Sequence, residues 1–370
     1  MNIYESIGLS KVINSSGKMT PLGVSTIDNK VGEYMKEAGM SFVKIDSLID
    51  KAGEIISRYT GGEDACVTIG ASAGIAISTA ACIAKNNISV IEKLPISDGL
   101  RNEIILQKGH AVNFGASLTQ MVRLGGGVPI EIGQANKVQD FHIEDAINDK
   151  TAALLYVKSH HAVQKGMVPI EKMVEIAHKH NLPIIIDSAA EEDLRKYITL
   201  GVDLVIYSGG KAIEGPTSGF ISGRKDLIQC CKLQYKGIGR AMKVGKENIM
   251  GLLKALELYE NRNNEKIVKN QKKNMEWLSE EINKIEGLSA SITQDEAGRA
   301  IYRTRIKIDS KVLGVDAYYI INELEKGNPS IYTRNHYANL GIINVDPRPL
   351  QKGEEKIILE RFQNIVENIK

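Results

Sequence analysis

Lys211 lies in the run Tyr207-Ser208-Gly209-Gly210-Lys211-Ala212-Ile213-Glu214-Gly215-Pro216, and upstream of it the apolar stretch Pro183-Ile184-Ile185-Ile186 ends on Asp187. An amine and a carboxylate, each closing an apolar strand, form the pair that pyridoxal 5'-phosphate (PLP) requires. The lysine would form a Schiff base with the cofactor, and the acid would keep the pyridine nitrogen protonated so that the ring accepts electrons. Either residue alone is ordinary, because surface lysines are common and an Asp after a strand often only caps a helix. The glycine-rich setting of Lys211, the nearby Ser208 and the spacing from Asp187 together point to a PLP site.

Around that pair the chain offers an anion cradle and several cations. Val67-Thr68-Ile69 leads into Gly70-Ala71-Ser72-Ala73-Gly74, which opens an apolar helix from Ile75 to Ala84. A helix N-terminus of small residues presents N–H groups and a positive dipole end to a phosphate, and Ser208 can add a hydroxyl. The same pattern also fits a tightly packed strand-to-helix turn. His110, in Gln107-Lys108-Gly109-His110, follows a strand at the edge where a flat ring can stack on a cofactor; a loop histidine is often structural instead. His161, shortly after Ser159, is a candidate donor to the cofactor's phenolic oxygen. His178 and His180 stand two apart on a helix, on different faces, and so do not make a metal pair. For substrate anions the candidates are Lys18, Thr20, Arg240, Arg334 and Arg348, since arginine holds carboxylate or phosphate by two parallel hydrogen bonds. Each of these cations equally fits a solvated surface charge.

The elements that must position these residues read as an α/β fold. From about residue 52, helical periodicity alternates with short β-branched runs, the signature of a parallel sheet covered by helices on both faces. Strands are expected at 65–69, 102–106, 153–157, 183–186 and 204–207, each followed by a glycine, serine or histidine loop where ligands of such sheets collect. Ile170 to His180 reads as an amphipathic covering helix and 86–102 as a loop insertion. Asn248 to Tyr259 reads as a connecting helix leading to a second α+β pattern that ends at Lys370. The expected divisions are an N-terminal segment over 1–50 crossing the small domain and the site, a large domain over 51–245 and a small domain over 246–370.

At 370 residues and 43% hydrophobic content the chain can bury a large core and divide into about two domains. Its 47 basic and 45 acidic residues give a net charge of +2, which supplies no electrostatic reason to expect nucleic acid or membrane as the main partner. The first residues lack a signal-peptide pattern and no run reaches a membrane span, so the cytoplasm is expected. Cys66, Cys82, Cys230 and Cys231 have neither metal spacing nor the density of a disulfide scaffold.

With these residues in view the chain resembles the fold-type I PLP enzymes, and within them the group around bacterial L-seryl-tRNA(Sec) selenium transferase. The resemblance rests on Val12-Ile13-Asn14-Ser15-Ser16-Gly17, Thr60-Gly61-Gly62-Glu63-Asp64-Ala65-Cys66, the Lys211 segment and 233–259. Gln107-Lys108-Gly109-His110-Ala111-Val112-Asn113-Phe114-Gly115-Ala116 and Lys211-Ala212-Ile213-Glu214-Gly215-Pro216 look closer to ammonia-lyases of phosphorylated amino sugar acids within that group. The resemblance implies a large domain with a mostly parallel seven-stranded sheet, a smaller α+β domain, PLP, an α,β-elimination and a homodimer or larger assembly. The alternatives it leaves are a PLP-dependent lyase or transferase on another β-substituted amino acid, and a selenium transferase-like tRNA-binding protein. The transferases carry a tRNA-binding domain ahead of the Val12-Ile13-Asn14 motif, which here stands almost at the start. That position and the near-neutral charge give no expectation of a nucleic acid partner; their Asp before the lysine is Gly210 here, and Ala71-Ser72-Ala73 replaces their polar phosphate loop, so their substrate and cofactor details do not carry over to this chain.

Overall fold

The computed structural model describes residues 3–159, 161–296 and 298–369. The chain forms two compact units, one from the described parts of 1–26 and 262–370, which holds strand β1 (Val12–Ser15), and one from 27–261.

The 27–261 unit is built on a seven-stranded sheet. Its strands are β2 (Asp64–Thr68), β3 (Glu103–Gln107), β4 (Val128–Ile132), β5 (Thr151–Val157), β6 (Ile184–Asp187), β7 (Leu204–Ser208) and β8 (Gly219–Gly223), in the order β2-β8-β7-β6-β5-β3-β4. All neighbours are parallel except β8, which runs antiparallel to both β2 and β7. The apolar runs of β5, β6 and β7 are buried on both faces, as central parallel strands must be. Successive residues serve opposite cores: Leu154 and Tyr156 face one, Leu155 and Val157 the other.

Helices α1 (Asn29–Gly39), α2 (Ile45–Thr60), α3 (Ala71–Ala84), α4 (Ile88–Lys93), α5 (Leu118–Leu124), α6 (Asp140–Ala146), α7 (Ile170–Lys179), α8 (Lys196–Thr199), α9 (Lys225–Leu233) and α10 (Lys246–Glu260) belong to this unit. α3 is apolar on every side and buried almost throughout, so it is a core helix. α7 carries the amphipathic pattern read from the sequence, with Met173, Val174 and Ala177 buried. The expected insertion over 86–102 contains α4, capped by the Asn87 side chain. The expected boundary near 245 moves to 261–262, because Ile249, Leu252 and Leu256 of α10 lie in the core of the 27–261 unit. The expected 1–50 segment is likewise divided: α1 and the start of α2 join the 27–261 unit, and the N-terminal strand joins the other.

The second unit has a three-stranded antiparallel sheet, β9 (Leu288–Gln294), β10 (Tyr302–Ile308) and β12 (Ile342–Val345), with β10 central. β1 pairs in parallel with β11 (Ser330–Thr333). Met275 and Leu278 of α11 (Asn264–Ile282), with Ile320 and Leu324 of α12 (Ala317–Lys326) and Ile358 and Phe362 of α13 (Glu354–Ile369), fill its core.

One glycine ties sheet geometry to the site edge. A Cβ on Gly219 would come within 2.7 Å of the Tyr207 carbonyl oxygen and 2.9 Å of the Gly70 carbonyl carbon, backbone that cannot yield cheaply. Gly219→Ala is therefore expected to destabilise the protein by about 1–3 kcal/mol through overpacking, read as a lower melting temperature; an unchanged melt would show that β8 can withdraw from that edge freely.

Candidate active site

β2 and β7 both run opposite to β8, and β3, β5 and β6 run with β7, so the C-terminal ends of these five strands share one edge. The two residues with which the sequence reading began are both there. Asp187 closes β6 between Val157 and Ile206 of the flanking strands and is only 7% exposed. Its Oδ1 accepts the Ala189 N–H at 3.1 Å, while no hydrogen bond reaches Oδ2 among the described residues. Burial pushes the Asp187 pKa up, against the Lys211 cation and the Ala189 amide, which both favour the carboxylate.

Lys211 follows β7 in a loop held shut by its own backbone. The Gly215 N–H donates to the Gly209 carbonyl at 2.7 Å, and the Gly209 N–H donates to the Ser218 carbonyl at 2.8 Å. Glu214 in this loop sits at φ 59°, a left-handed conformation that costs a non-glycine residue of order 1–3 kcal/mol. The strain falls in the segment that fixes the lysine.

The segment 70–74, read from the sequence as a candidate anion cradle, lies at the start of α3 after β2. α3 begins at Ala71 with no side-chain cap, so its first N–H groups have no side-chain acceptor. Space around the missing Cβ of Gly70 is open, Ala71 and Ser72 are half-buried, and Ala73 is buried. Thr68 and Ser208 are both register partners of Gly219, which brings the end of β7 beside the start of α3. The Ser208 hydroxyl makes no hydrogen bond among the described residues. A buried acid with one open oxygen, a lysine whose charge reaches it and an uncapped helix start on the same edge fit PLP's ring nitrogen, aldehyde and phosphate.

The histidines differ from one another. His110 is fully buried, with its ring edge-on to Tyr156 at 4.5 Å and its Nδ1 accepting the Val157 N–H at 3.3 Å. It therefore has no exposed face to stack on a cofactor, and the stacking role expected of it is corrected to one of bracing the end of β5. Its Nε2 finds no hydrogen-bond partner among the described residues. Burial lowers its pKa to about 4, with the Val163 carbonyl acting the other way. His161 is exposed at the same edge, and its backbone N–H donates to Ser159 Oγ at 3.2 Å. Among the described residues no group of His, Cys, Asp and Glu could hold a metal. Arg240 is exposed in a single 3₁₀ turn, Ile238–Met242, that packs against α3.

The remaining candidates lie in the second unit. Thr20 is exposed, while Lys18 is half-buried next to Gly17. Arg348 is engaged at two points by Asp346, Nε to Oδ1 and Nη2 to Oδ2, both at 2.9 Å. Its expected role as a substrate cation is thereby corrected, because an internal carboxylate already holds its fork. Arg334 exchanges backbone hydrogen bonds with Asn344, and its half-buried guanidinium has no acidic partner among the described residues. Burial lowers the Arg334 pKa, and Arg303 and Arg348 add like-charge repulsion. Asp346, which the sequence reading passed over, organises this cluster; its one visible signal was an acid two residues before an arginine.

The chain matches the family described as L-seryl-tRNA selenium transferase over residues 12–312. It is 47% identical to a D-glucosaminate-6-phosphate ammonia lyase from Salmonella typhimurium (strain 14028s / SGSC 2262), over 99% of this chain and 98% of that one. It is 41% identical to a 5'-C-glycyluridine monooxygenase-decarboxylase from Streptomyces sp, over 98% of this chain and 92% of the relative. A solved structure of D-glucosaminate-6-phosphate ammonia-lyase matches with a TM-score of 0.95 at 47% identity, covering 100% of this chain and 99% of that one.

The buried His110 carries a pH signature. Its folded pKa of about 4 lies below the ordinary value of 6.5, so the unfolded chain binds more protons between the two. Stability is accordingly complete above pH 6.5 and falls as the pH drops towards 4. The His110 ring resonances are expected to stay in the neutral form from pH 5 to 8 in an NMR titration; a midpoint near 6.5 would contradict the enclosed ring.

Proposed function

The chain belongs to the family described as L-seryl-tRNA selenium transferase, and on that premise we propose that it is a PLP-dependent ammonia-lyase. The substrate is D-glucosaminate 6-phosphate (2-amino-2-deoxy-D-gluconate 6-phosphate), and the products are 2-keto-3-deoxy-6-phosphogluconate and ammonia. What carries the reading is full-length 47% identity to a lyase of that name in a chain whose Asp187 and Lys211 share one sheet edge.

Bound PLP supplies the electron sink that lets a bond at the substrate Cα ionise. Lys211 Nζ would hold the cofactor at its aldehyde carbon and would be the base for the substrate Cα proton. Asp187 Oδ2 would accept the pyridine N–H, and the Ala189 amide on Oδ1 keeps the carboxylate oriented for it. The N–H groups at the start of α3 and the Ser208 hydroxyl would hold the phosphate of the cofactor. Lys211 Nζ, carrying the proton it took, is the economical donor to the departing C3 hydroxyl, with His161 second. Loss of water gives an enamine, and its hydrolysis returns that water and releases ammonia. Arg334 supplies the cation for the substrate carboxylate; Lys18, Thr20 and Arg240 are assigned to its phosphate and hydroxyls.

The near-balanced net charge of the chain supports a small-molecule partner over nucleic acid. No helix among the described residues is long and apolar enough to cross a membrane, and we place the enzyme in the cytoplasm as a homodimer or larger assembly.

The 41% identity to a monooxygenase-decarboxylase defines the competing chemistry. Incubating the PLP-reconstituted protein with D-glucosaminate 6-phosphate under strict exclusion of oxygen should release ammonia and keto acid in equal amounts. Oxygen-dependent turnover with carbon dioxide release would replace the lyase reading, and turnover only with other β-substituted amino acids would move the substrate. Lys211→Ala should lose both the cofactor's visible absorption band and turnover while melting like the parent. Asp187→Ala should keep the band and lose most activity; parental turnover in that variant would remove the acid from its role.

A further inference from the structure

Behind Arg334 lies a buried ladder of charges within the same unit. Asp346 is fully buried at the end of β12 and binds two arginines at once. Its Oδ1 accepts the Arg348 backbone N–H at 3.1 Å and Arg348 Nε at 2.9 Å. Its Oδ2 accepts Arg348 Nη2 at 2.9 Å and Arg303 Nε at 2.8 Å. Arg303, 4% exposed, reaches on to Asp295, with Nη2 at 2.9 Å from Oδ1, and Asp295 also pairs with Arg299. That Nη2 contact is close but lacks hydrogen-bond alignment, so donor capacity is left over in the cluster. Three guanidinium groups, of Arg299, Arg303 and Arg348, thus share two carboxylates, Asp295 and Asp346, and Arg334 stands within electrostatic reach of the cluster without an ion pair to either.

The end of β1 and the turn that follows it lock the ladder in register. The Asp346 N–H donates to the Ser15 carbonyl at 2.8 Å, and Asn14 Nδ2 donates to the Gly17 carbonyl at 2.9 Å. Gly17, at φ 119°, turns so closely over the pair that its Cβ would stand 3.4 Å from Arg348 Nη2. Burial works against ionisation of Asp346, yet Arg348 and Arg303 outweigh it and bring its pKa down to about 2. Its charge is therefore constant across the working pH range.

We infer that Asp346 is a positioning residue for the anion site at Arg334: by holding Arg348 and Arg303 on its two oxygens it neutralises them and leaves Arg334 as the cation open to a substrate carboxylate. Without that carboxylate, three guanidinium groups would repel one another in a partly desolvated cluster, and Arg348 would be released to compete for the same anion. The inference rests on the reading of Arg334 given above. Asp346 itself touches no substrate in this scheme.

The test measures steady-state kinetics of the PLP-reconstituted enzyme with D-glucosaminate 6-phosphate, beside thermal melts. Asp346→Asn keeps the shape and removes the charge; KM should rise at least about tenfold with kcat within about threefold. Adding Arg348→Gln to Asp346→Asn removes the unbalanced cation, and KM should return to within about threefold of the parent. A purely structural role predicts a lower melting temperature with KM unchanged at assay temperature, and that result overturns the inference. So does a double variant whose KM stays as high as that of Asp346→Asn. If Asp346→Asn does not fold, the charge-balanced double variant decides: a KM within about threefold supports the inference and a tenfold rise overturns it. Arg334→Gln separates the two readings. It should raise KM at least about tenfold; no change there removes Arg334 from the site and the positioning role with it, whereas a rise there with Asp346→Asn unaffected removes only the positioning role.

Discussion

Asp187 is a carboxylate buried at the end of a central strand, and the site is organised around keeping it ionised. Removing such a group from water favours its neutral form, so a fixed cation and a fixed donor have to stand nearby. The Ala189 amide supplies the donor and Lys211 the cation. The cation can be constant only if the loop bearing it is constant, and the Gly209–Gly215 and Gly209–Ser218 backbone bonds make it so. The left-handed Glu214 shows that this closure is worth a backbone strain.

That constraint explains which parts were legible in the sequence. Asp187 and Lys211 both follow apolar strands, and a parallel sheet puts the ends of such strands on one edge whatever their order. Their meeting could therefore be read without knowing that β6 and β7 are neighbours. The strands that escaped notice are those whose sequences are shaped by position. β4 is an edge strand with Pro129 within it, which breaks the apolar run, and β8 is bounded by Gly219 and Gly223. Gly223 is required where a Cβ would stand 1.8 Å from the Asp203 carbonyl oxygen, so close packing erased the pattern that marks a strand.

The domain boundary and the second unit were less legible for a different reason. α10 has the periodicity of a connecting helix, and only the tertiary packing of Ile249, Leu252 and Leu256 assigns it to the 27–261 core. Arg334 and Arg348 looked equivalent as candidate cations. They differ because β10 and β12 run side by side, which places Arg303 and Asp346 in hydrogen-bond contact. No local spacing encodes that pairing. His110 shows the same limit from the other direction: its place after β3 suggested a ring facing the ligand edge, whereas Tyr156 and the end of β5 enclose it.

The two charge systems divide the chemistry between them. In the proposed reaction Lys211 and Asp187 would act on features common to any amine carried by PLP, a cofactor aldehyde, a ring nitrogen and a Cα proton, and so would set the class of reaction without choosing a substrate. Discrimination has to come from groups that recognise the rest of the molecule. A guanidinium fork without an acidic partner is selective for a planar carboxylate, provided neighbouring cations do not offer the same anion alternative poses. Arg348 is such a neighbour, and the fully buried Asp346 occupies its fork. On the proposed reading, specificity in this unit would depend as much on which arginine is silenced as on which is presented, and a buried acid whose pKa is held near 2 would keep that silencing constant with pH.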